Sequence, residues 1–189
     1  MTPRILTFAG SVRRDSFNRR LAALAARHAE AAGAEVEFID LADYPMSIYD
    51  GDLEAESGPP ENAFRLQAIL ARQHGLLIAS PEYNNSIAPL LKNTLDWVSR
   101  THQVRGENPF AGRVAGLLAA SPGSLGGLRG LDHLRRVLDT VGMLVLPGGV
   151  AIPHADQAFD AVGGLIDPGH DRRLRAMCDR LVEVAGRLA

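Results

Sequence analysis

The chain has 189 residues, of which 46% are hydrophobic and 22% charged, with a formal net charge of −2 and one cysteine. This length is sufficient for one well-buried domain and short for two, so we expect a single domain over residues 1–189. The evenly mixed charge argues against a nucleic-acid partner and against a membrane surface, and no apolar run is long enough to cross a bilayer. A lone cysteine excludes an internal disulfide and fits a reducing compartment, so we expect a cytoplasmic protein.

The histidines and the cysteine indicate no metal centre. The six histidines are scattered, and no two of them have the spacing of metal ligands. Cys178 lies among apolar residues of a helical pattern, which favours a buried structural thiol over a reactive one.

Short apolar runs alternate with helix-patterned segments along the chain. Several of the runs are unbroken rather than alternating, which is typical of parallel strands that are buried on both faces. The pattern predicts an α/β, doubly wound sandwich with a five-stranded parallel sheet. The predicted strands are Ile5–Ala9, Val36–Ile39, Leu76–Ala79, Val114–Ala119 and Met143–Leu146, and the predicted helices are Asn18–Ala32, Pro60–Arg72, Pro89–Arg100, Gly127–Val141 and Asp171–Leu188.

Three other segments have less regular patterns. Pro147 is expected to end the last strand. Residues 43–60 contain three prolines, two glycines and several acidic residues, and we expect a surface excursion that serves as a lid, an interface or a plain loop. Residues 154–170 have little pattern and are interpreted as a loop over the pocket or an interface.

A polar loop follows the first predicted strand and opens the first predicted helix. Such a loop directs unpaired backbone N–H groups and the positive end of the helix dipole towards one point, which favours a phosphate. Ser11, Ser16 and Asn18 can add side-chain donors, and Arg13 adds a positive charge. The simpler alternative is that Ser16 is only a helix N-cap and Arg13 only a solvated charge.

Two further loops are expected at the same edge of the sheet, because the carboxyl ends of parallel strands lie together. With the strand order 2-1-3-4-5, the loops at 81–86 and 121–127 line one pocket with the first loop. Tyr83 and Asn84 offer hydrogen bonds along a ring edge, and the glycines at 123, 126 and 127 allow the backbone to approach a flat ring. A ring and one phosphate together suggest flavin mononucleotide, although each loop alone can be an ordinary turn.

At these loops the chain resembles the NADPH-dependent FMN reductase family of flavodoxin-like proteins, which includes quinone, azo-dye and chromate reductases. The similarity of spacing extends from Ile5 to about Pro147. The sequence departs from the usual pattern at Asn85, where the family more often has glycine or histidine. The matching segments are Gly10-Ser-x-Arg13-x-x-Ser16-x-Asn18, Pro81-Glu-Tyr-Asn-x-Ser86, Leu91-Lys-Asn-x-x-Asp96-Trp97 and Ser121-Pro-Gly-x-x-Gly-Gly127.

The resemblance implies a flavodoxin-like three-layer fold and an FMN cofactor, with NADPH or NADH as the electron donor and a small molecule as the acceptor. It also implies a homodimer or homotetramer, in which helix Pro89–Arg100 forms much of the interface and the partner completes the flavin pocket. From the residues alone, that helix is equally well an ordinary amphipathic helix with a Lys92–Asp96 pair. The implied ligands of FMN are Ser11, Arg13, Ser16, Phe17 and Asn18 at the phosphate, and Pro81, Glu82, Tyr83, Asn84, Ser121, Gly123, Gly126 and Gly127 around the ring.

The expected chemistry is hydride transfer from NAD(P)H to the flavin and two-electron transfer to the acceptor, in a ping-pong sequence. The cofactor carries the difficult step, so no catalytic residue is named. One alternative is a flavodoxin-type electron carrier, although a net charge of −2 offers little acidic docking surface. Another is a flavin-free NAD-binding protein with Asp40 as ribose ligand, although the first loop lacks the Gly-x-Gly-x-x-Gly motif.

Overall fold

Every strand of the main sheet runs parallel to its neighbours in the computed structural model, which describes residues 1–189. The strand order is β2 (Glu35–Phe38), β1 (Arg4–Ala9), β3 (Gly75–Ala79), β6 (Val114–Ala120) and β7 (Leu144–Val145), and a further short strand, β8 (Val150–Ile152), is also paired to β6. In chain order the elements are β1 (Arg4–Ala9), α1 (Phe17–Ala31), β2 (Glu35–Phe38), α2 (Gly51–Ser57), α3 (Glu61–Ala71), β3 (Gly75–Ala79), β4 (Glu82–Tyr83), β5 (Ser86–Ile87), α4 (Pro89–Arg100), α5 (His102–Arg105), β6 (Val114–Ala120), α6 (Leu128–Thr140), β7 (Leu144–Val145), β8 (Val150–Ile152) and α7 (Pro168–Leu188), with a 3₁₀ turn at Leu41–Asp43.

The sheet is buried on both faces. The side chains of successive residues in a strand belong to two different hydrophobic clusters, one on each face of the sheet. Ile5 and Ala9 belong to the cluster under α1 and α7, whereas Leu6 and Phe8 belong to the cluster under α3, α4 and α6. All residues of β3 and β6 are buried. This is the period of two expected for strands between two helical layers, and it confirms the predicted three-layer sandwich and strand order.

The fifth position of the sheet differs from the prediction. The predicted strand Met143–Leu146 is only Leu144–Val145, and Pro147 does not end the pairing, because Val150–Ile152 resumes it alongside Leu118–Ala120. Proline has no N–H for the ladder, and Gly148 has a φ of 74°, so the edge strand is interrupted for a few residues.

The structure also contains short elements that the sequence pattern did not predict. Two-residue strands β4 and β5 form an antiparallel hairpin beyond the end of β3. The seven-residue helix α2 lies in the segment 43–60; it buries none of its residues and is capped by Asp50. A helix without an apolar stripe gives no periodic signal in the sequence.

Helix α4 anchors part of the excursion at 43–60. The Trp97 indole N–H donates to the Ser47 carbonyl at 2.8 Å, and the Asn93 amide donates to the same oxygen at 2.9 Å. The expected Lys92–Asp96 pair is present at 2.7 Å. The bonds to Ser47 hold the excursion against α4.

The segment 154–170 lies against α1. Arg20 stacks its guanidinium over the Phe159 ring at 4.6 Å, and Arg27 donates to the Gly163 carbonyl at 3.1 Å. Within the segment, Asp167 caps α7, which begins at Pro168. No helix of the protein is both long and apolar enough to span a bilayer.

Candidate functional site

An open cleft of about 110 Å³ lies at the carboxyl edge of the sheet. Strand order reverses between β1 and β3, and such a reversal is where doubly wound proteins bind their ligands. The cleft brings together nine of the residues predicted for the cofactor. They are Ser11, Arg13, Ser16, Phe17, Asn18, Pro81, Glu82, Tyr83 and Ser121, and the other lining residues are Ala120 and Pro122.

The start of α1 faces this cleft with free donors. Ser16 is the N-cap, and its Oγ accepts from the Arg19 N–H at 3.3 Å. The backbone N–H groups of Ser16, Phe17 and Asn18 find no acceptor within the chain. The first turn of α1 contains no acidic residue, so no carboxylate within that turn offsets the positive end of the helix dipole. This end of the cleft is therefore suited to an anion.

Asn18 has a role that the sequence did not reveal. Its side-chain amide donates to the Ala120 carbonyl at 2.9 Å, and its Oδ1 accepts from the Ala120 N–H at 3.0 Å. The residue is buried. The Asn18 side chain therefore joins the first loop to the end of β6, and only its backbone N–H remains free for a ligand.

Arg13 and Ser11 of the first loop also line the cleft. Arg13 donates to the Asp15 carbonyl at 2.8 Å, and its guanidinium lies 5.4 Å from the centre of the Phe17 ring. The Ser11 Oγ accepts weakly from the Arg13 N–H at 3.4 Å and lies on the cleft wall. A cation and a hydroxyl are thus held beside the free N–H groups.

The hairpin β4–β5 forms the second wall. Its two turn residues, Asn84 and Asn85, both have positive φ, at 51° and 63°, as a tight two-residue hairpin turn requires. Asn84 does not line the cleft, whereas Tyr83 does and remains 53% exposed. The aromatic ring is therefore at the mouth of the site.

Glu82 connects the hairpin to α6. Its Oε2 accepts from the Gly130 N–H at 2.7 Å, in the first turn of α6. That helix begins after Gly127 and has no side-chain cap of its own. The Glu82 carboxylate therefore supplies the missing N-terminal cap from a residue 48 positions earlier.

In the third loop, residues 121–127, one predicted residue lines the cleft and two glycines pack against neighbouring backbone or side chains. Ser121 lines the cleft, and its Oγ accepts from the Gly123 N–H at 3.3 Å. Gly126 has a φ of 62°, and a Cβ there would lie 2.6 Å from the Ile152 carbonyl carbon. Gly127 has a φ of 91°, and a Cβ would lie 2.8 Å from that of Ala119. Neither these two glycines nor Gly123 lines the cleft; Gly126 and Gly127 let the third loop pack against the sheet.

The structure also shows the surroundings of Asp40 and Cys178, two residues outside the cleft for which the sequence left a functional role open. Asp40 caps the 3₁₀ turn after β2 and pairs with Arg19 at 2.8 Å, so it is engaged within the protein. Cys178 is buried, and this burial raises the pKa of its thiol to about 12. The expected structural thiol is confirmed.

The fold and the cleft together define a class of protein. A doubly wound parallel sheet with an anion cradle at the start of its first helix is typical of proteins that bind a nucleotide through its phosphate. The first loop has one such cradle, built around a serine cap rather than glycines, which fits a terminal phosphate better than a bridging pyrophosphate.

The particular family follows from comparison with known proteins. The family model described as NADPH-dependent FMN reductase matches residues 3–157. The chain belongs to this family, and it is an oxidoreductase that uses FMN and NAD(P)H.

Individual relatives are similar over nearly the whole chain. A 2-hydroxy-1,4-benzoquinone reductase from a Burkholderia species is 33% identical, over 95% of this chain and 94% of the relative. An NAD(P)H-dependent FMN reductase from Pseudomonas aeruginosa is 38% identical, over 87% and 85%. The structure of FerB, a flavoenzyme NAD(P)H:(acceptor) oxidoreductase from Paracoccus denitrificans, superposes with a TM-score of 0.82 at 28% identity and covers 98% of both chains.

Proposed function

We propose that the chain holds FMN by its phosphate at the first loop and reduces a quinone or a similar small acceptor. The observation that carries this proposal is the set of free N–H groups at the start of α1, on a cleft that is also lined by Arg13 and by three serines. A phosphate monoester satisfies such donors better than any group of the protein nearby, because charge-assisted hydrogen bonds are the strong ones.

The proposed phosphate ligands follow from the cleft geometry. The backbone N–H groups of Ser16, Phe17 and Asn18 are free to donate, and the hydroxyl of Ser11 and the guanidinium of Arg13 lie beside them. For the flavin ring we propose the second and third loops, as the family resemblance implies. Pro81, Glu82, Tyr83 and Ser121 line the cleft and support this; the proposed remaining neighbours of the ring are Asn84, Gly123, Gly126 and Gly127.

Bound FMN supplies the redox chemistry, since a flavin accepts a hydride from NAD(P)H and gives two electrons to an acceptor. The residues of the chain bind, orient and exclude water, and no side chain is required as acid, base or nucleophile. We propose that donor and acceptor use the same open cleft mouth beside Tyr83 and therefore react in turn, by a ping-pong sequence. The names of the relatives, which include a benzoquinone reductase, support a quinone as acceptor.

We further propose that the protein is a homodimer or a tetramer of such dimers, with the part of α4 beside Ile48 and Val104 at the interface. Large apolar side chains beside α4 support this, because Ile48 is 86% exposed and Val104 is 65% exposed. The cytoplasmic location stays a prediction, to which the single cysteine contributes.

The absorption spectrum of the purified protein tests the proposed function. The protein is incubated with FMN, separated from excess flavin and treated with NADPH without oxygen. We expect a retained flavin spectrum that bleaches with NADPH and recovers when a benzoquinone is added. Protein without flavin colour contradicts the proposed cleft, and bleaching without recovery contradicts a quinone as the acceptor.

A further inference from the structure

A second cleft, here named the Arg136 cleft, lies between the hairpin β4–β5 and the helices α4 and α6. It measures about 440 Å³. Its floor is apolar, and its polar groups are mostly basic. The lining residues are Ser86, Ile87, Pro89, Lys92, His133, Arg136 and Val137.

The charge of this cleft comes from Arg136. Lys92 contacts both oxygens of Asp96 at 2.7 Å, so the charges of these two residues offset each other. The Arg136 guanidinium forms no ion pair and donates no hydrogen bond, and the nearby acids of α6, Asp132 and Asp139, are not within 4.0 Å of it. One unpaired guanidinium therefore faces a largely apolar cavity.

His133 adds a hydrogen-bond donor beside Arg136. Its Nδ1 lies 3.0 Å from the Ser86 Oγ. When the serine hydroxyl donates to Nδ1, the neutral imidazole carries its proton on Nε2, which is then free to donate. His133 and Arg136 are three residues apart on a helix, so they share one face of α6. The pair can donate to the same anion.

The Arg136 cleft and the proposed flavin cleft share one hairpin. Glu82 and Tyr83 line the flavin cleft, and their direct partners in the antiparallel register, Ile87 and Ser86, line the Arg136 cleft. Opposite residues of such a pair have Cα atoms only about 5 Å apart. A molecule with one end at the mouth of the flavin cleft can therefore reach over the hairpin with its other end.

We propose that the Arg136 cleft binds the 2′-phosphate of the adenosine half of NADPH, so that Arg136 and His133 distinguish NADPH from NADH. The proposal rests on the proposed function, because it assigns the nicotinamide half of the donor to the flavin cleft. A 2′-phosphate is a monoester with nearly two negative charges, and arginine binds such a group through two parallel hydrogen bonds. The apolar floor of Ile87, Pro89 and Val137 is suited to the adenosine that carries it.

Binding of two nucleotide fragments tests this proposal without relying on turnover. The probes are adenosine 2′,5′-bisphosphate and adenosine 5′-monophosphate, which lacks the 2′-phosphate, measured by calorimetry on the FMN-treated full chain. We expect the bisphosphate to bind more tightly to the unaltered protein. Arg136→Ala is expected to weaken it by about ten- to a hundredfold and to leave the monophosphate within about twofold.

Matched variants control for general effects of charge. Arg173→Ala removes an arginine from α7, on the opposite face of the sheet, and is expected to leave the affinity for both probes unchanged. Arg136→Lys retains the charge without the planar fork and is expected to fall between Arg136→Ala and the unaltered protein. Arg136 is exposed, so its substitution does not disturb the core.

Three results overturn the proposal. The first is equal affinity of the unaltered protein for the two probes. The second is an equal loss of affinity for both probes in Arg136→Ala. The third is a change in the molecular mass of the assembly in Arg136→Ala without loss of affinity for the bisphosphate. The last result assigns the Arg136 cleft to an interface between copies. The flavin spectrum of the same samples reports separately on the proposed function, so failure of one is distinguished from failure of the other.

Discussion

The first loop and the hairpin β4–β5 form two walls of one cleft, but they use their polar groups in opposite ways. The first loop leaves the N–H groups of Ser16, Phe17 and Asn18 without an acceptor. The hairpin instead directs polar groups to α6, through Glu82 to the Gly130 N–H at 2.7 Å and through Asn85 to Arg129 at 2.8 Å. One wall has donors available to a ligand, and the other is fixed by bonds within the protein.

This difference separates residues that bind from residues that position. Buried or half-buried polar groups are normally paired, so donors left free beside a cleft indicate a ligand. Groups that are already paired hold elements in place. By this reasoning the side chains of Asn18 and Glu82 position the walls, although both residues also line the cleft.

The largest effect is expected from Asn18→Ala. The change leaves the buried N–H and carbonyl of Ala120 without partners, at a cost of about 1–3 kcal/mol for each. Urea denaturation of the flavin-free protein measures the loss. The control Asn62→Ala removes a half-buried amide whose hydrogen bond to the Pro45 carbonyl is solvent-exposed, and its effect is expected to be below about 0.5 kcal/mol. Similar losses in both variants contradict the positioning role of Asn18.

Arg13→Ala is expected to alter binding rather than stability. Loss of a charge-assisted hydrogen bond to the phosphate raises the Kd of FMN by about ten- to a hundredfold, and the free energy of unfolding of the flavin-free protein stays unchanged. Quenching of flavin fluorescence measures the Kd. Arg14→Ala is the matched control, because this neighbouring arginine does not line the cleft. An unchanged Kd in Arg13→Ala removes Arg13 from the proposed phosphate site.

Glu82→Ala is expected to lower the free energy of unfolding by about 1 kcal/mol, the usual effect of removing a helix cap. Glu82→Gln retains a carbonyl oxygen that can accept from the Gly130 N–H, so it is expected to preserve most of the stability. Urea denaturation of the two variants makes the comparison. Equal losses contradict the role of Glu82 as a hydrogen-bond acceptor for α6.

The smallest effect on stability is expected from a change in the polar pair His28–Asp171, which lies away from both walls of the cleft. His28 on α1 lies 3.0 Å from Asp171 on α7, and burial lowers the pKa of His28 below 6.5, although its hydrogen bond to the Asp171 carboxylate opposes this shift. Burial acts to raise the pKa of Asp171, but hydrogen bonds from Arg175 and His28 outweigh it and hold that pKa below 3.8.

The unfolded chain therefore binds a proton at His28 more readily than the folded protein does as the pH falls through 6.5. Stability is expected to decrease over this range, and the decrease is expected to be shallower in His28→Gln. Urea midpoints at about pH 7.5 and about pH 5.5 measure the slope. An identical slope in the variant contradicts the lowered pKa of His28.

The sequence predicted the long elements well and the short ones poorly. Apolar runs such as Leu76–Ala79 and the stripe of α4 identify their elements because burial imposes a clear period. The hairpin β4–β5 has only two residues in each strand, and its one local signal is the Asn84-Asn85 turn. Pro147 predicts the end of the last strand, because no local pattern shows that pairing resumes at Val150.

The sequence predicts where the candidate site lies, but it does not predict the hydrogen bonds within the site. The rule that ligands bind at the reversal of strand order brought the loops together, and nine predicted residues line the cleft. The bonds of Asn18 to Ala120 and of Glu82 to Gly130 join residues 102 and 48 positions apart, and no local pattern encodes them. The packing of Gly126 against Ile152 likewise depends on tertiary structure.

The most direct test of the account compares the affinity of the protein for FMN and for riboflavin, which has the same ring but no phosphate. If the free N–H groups and Arg13 hold the phosphate, FMN binds at least about a hundredfold more tightly than riboflavin, since each charge-assisted hydrogen bond is worth about 1.5–3 kcal/mol. Affinities within about threefold of each other contradict the account, because the ring alone then provides the binding and the first loop has another role.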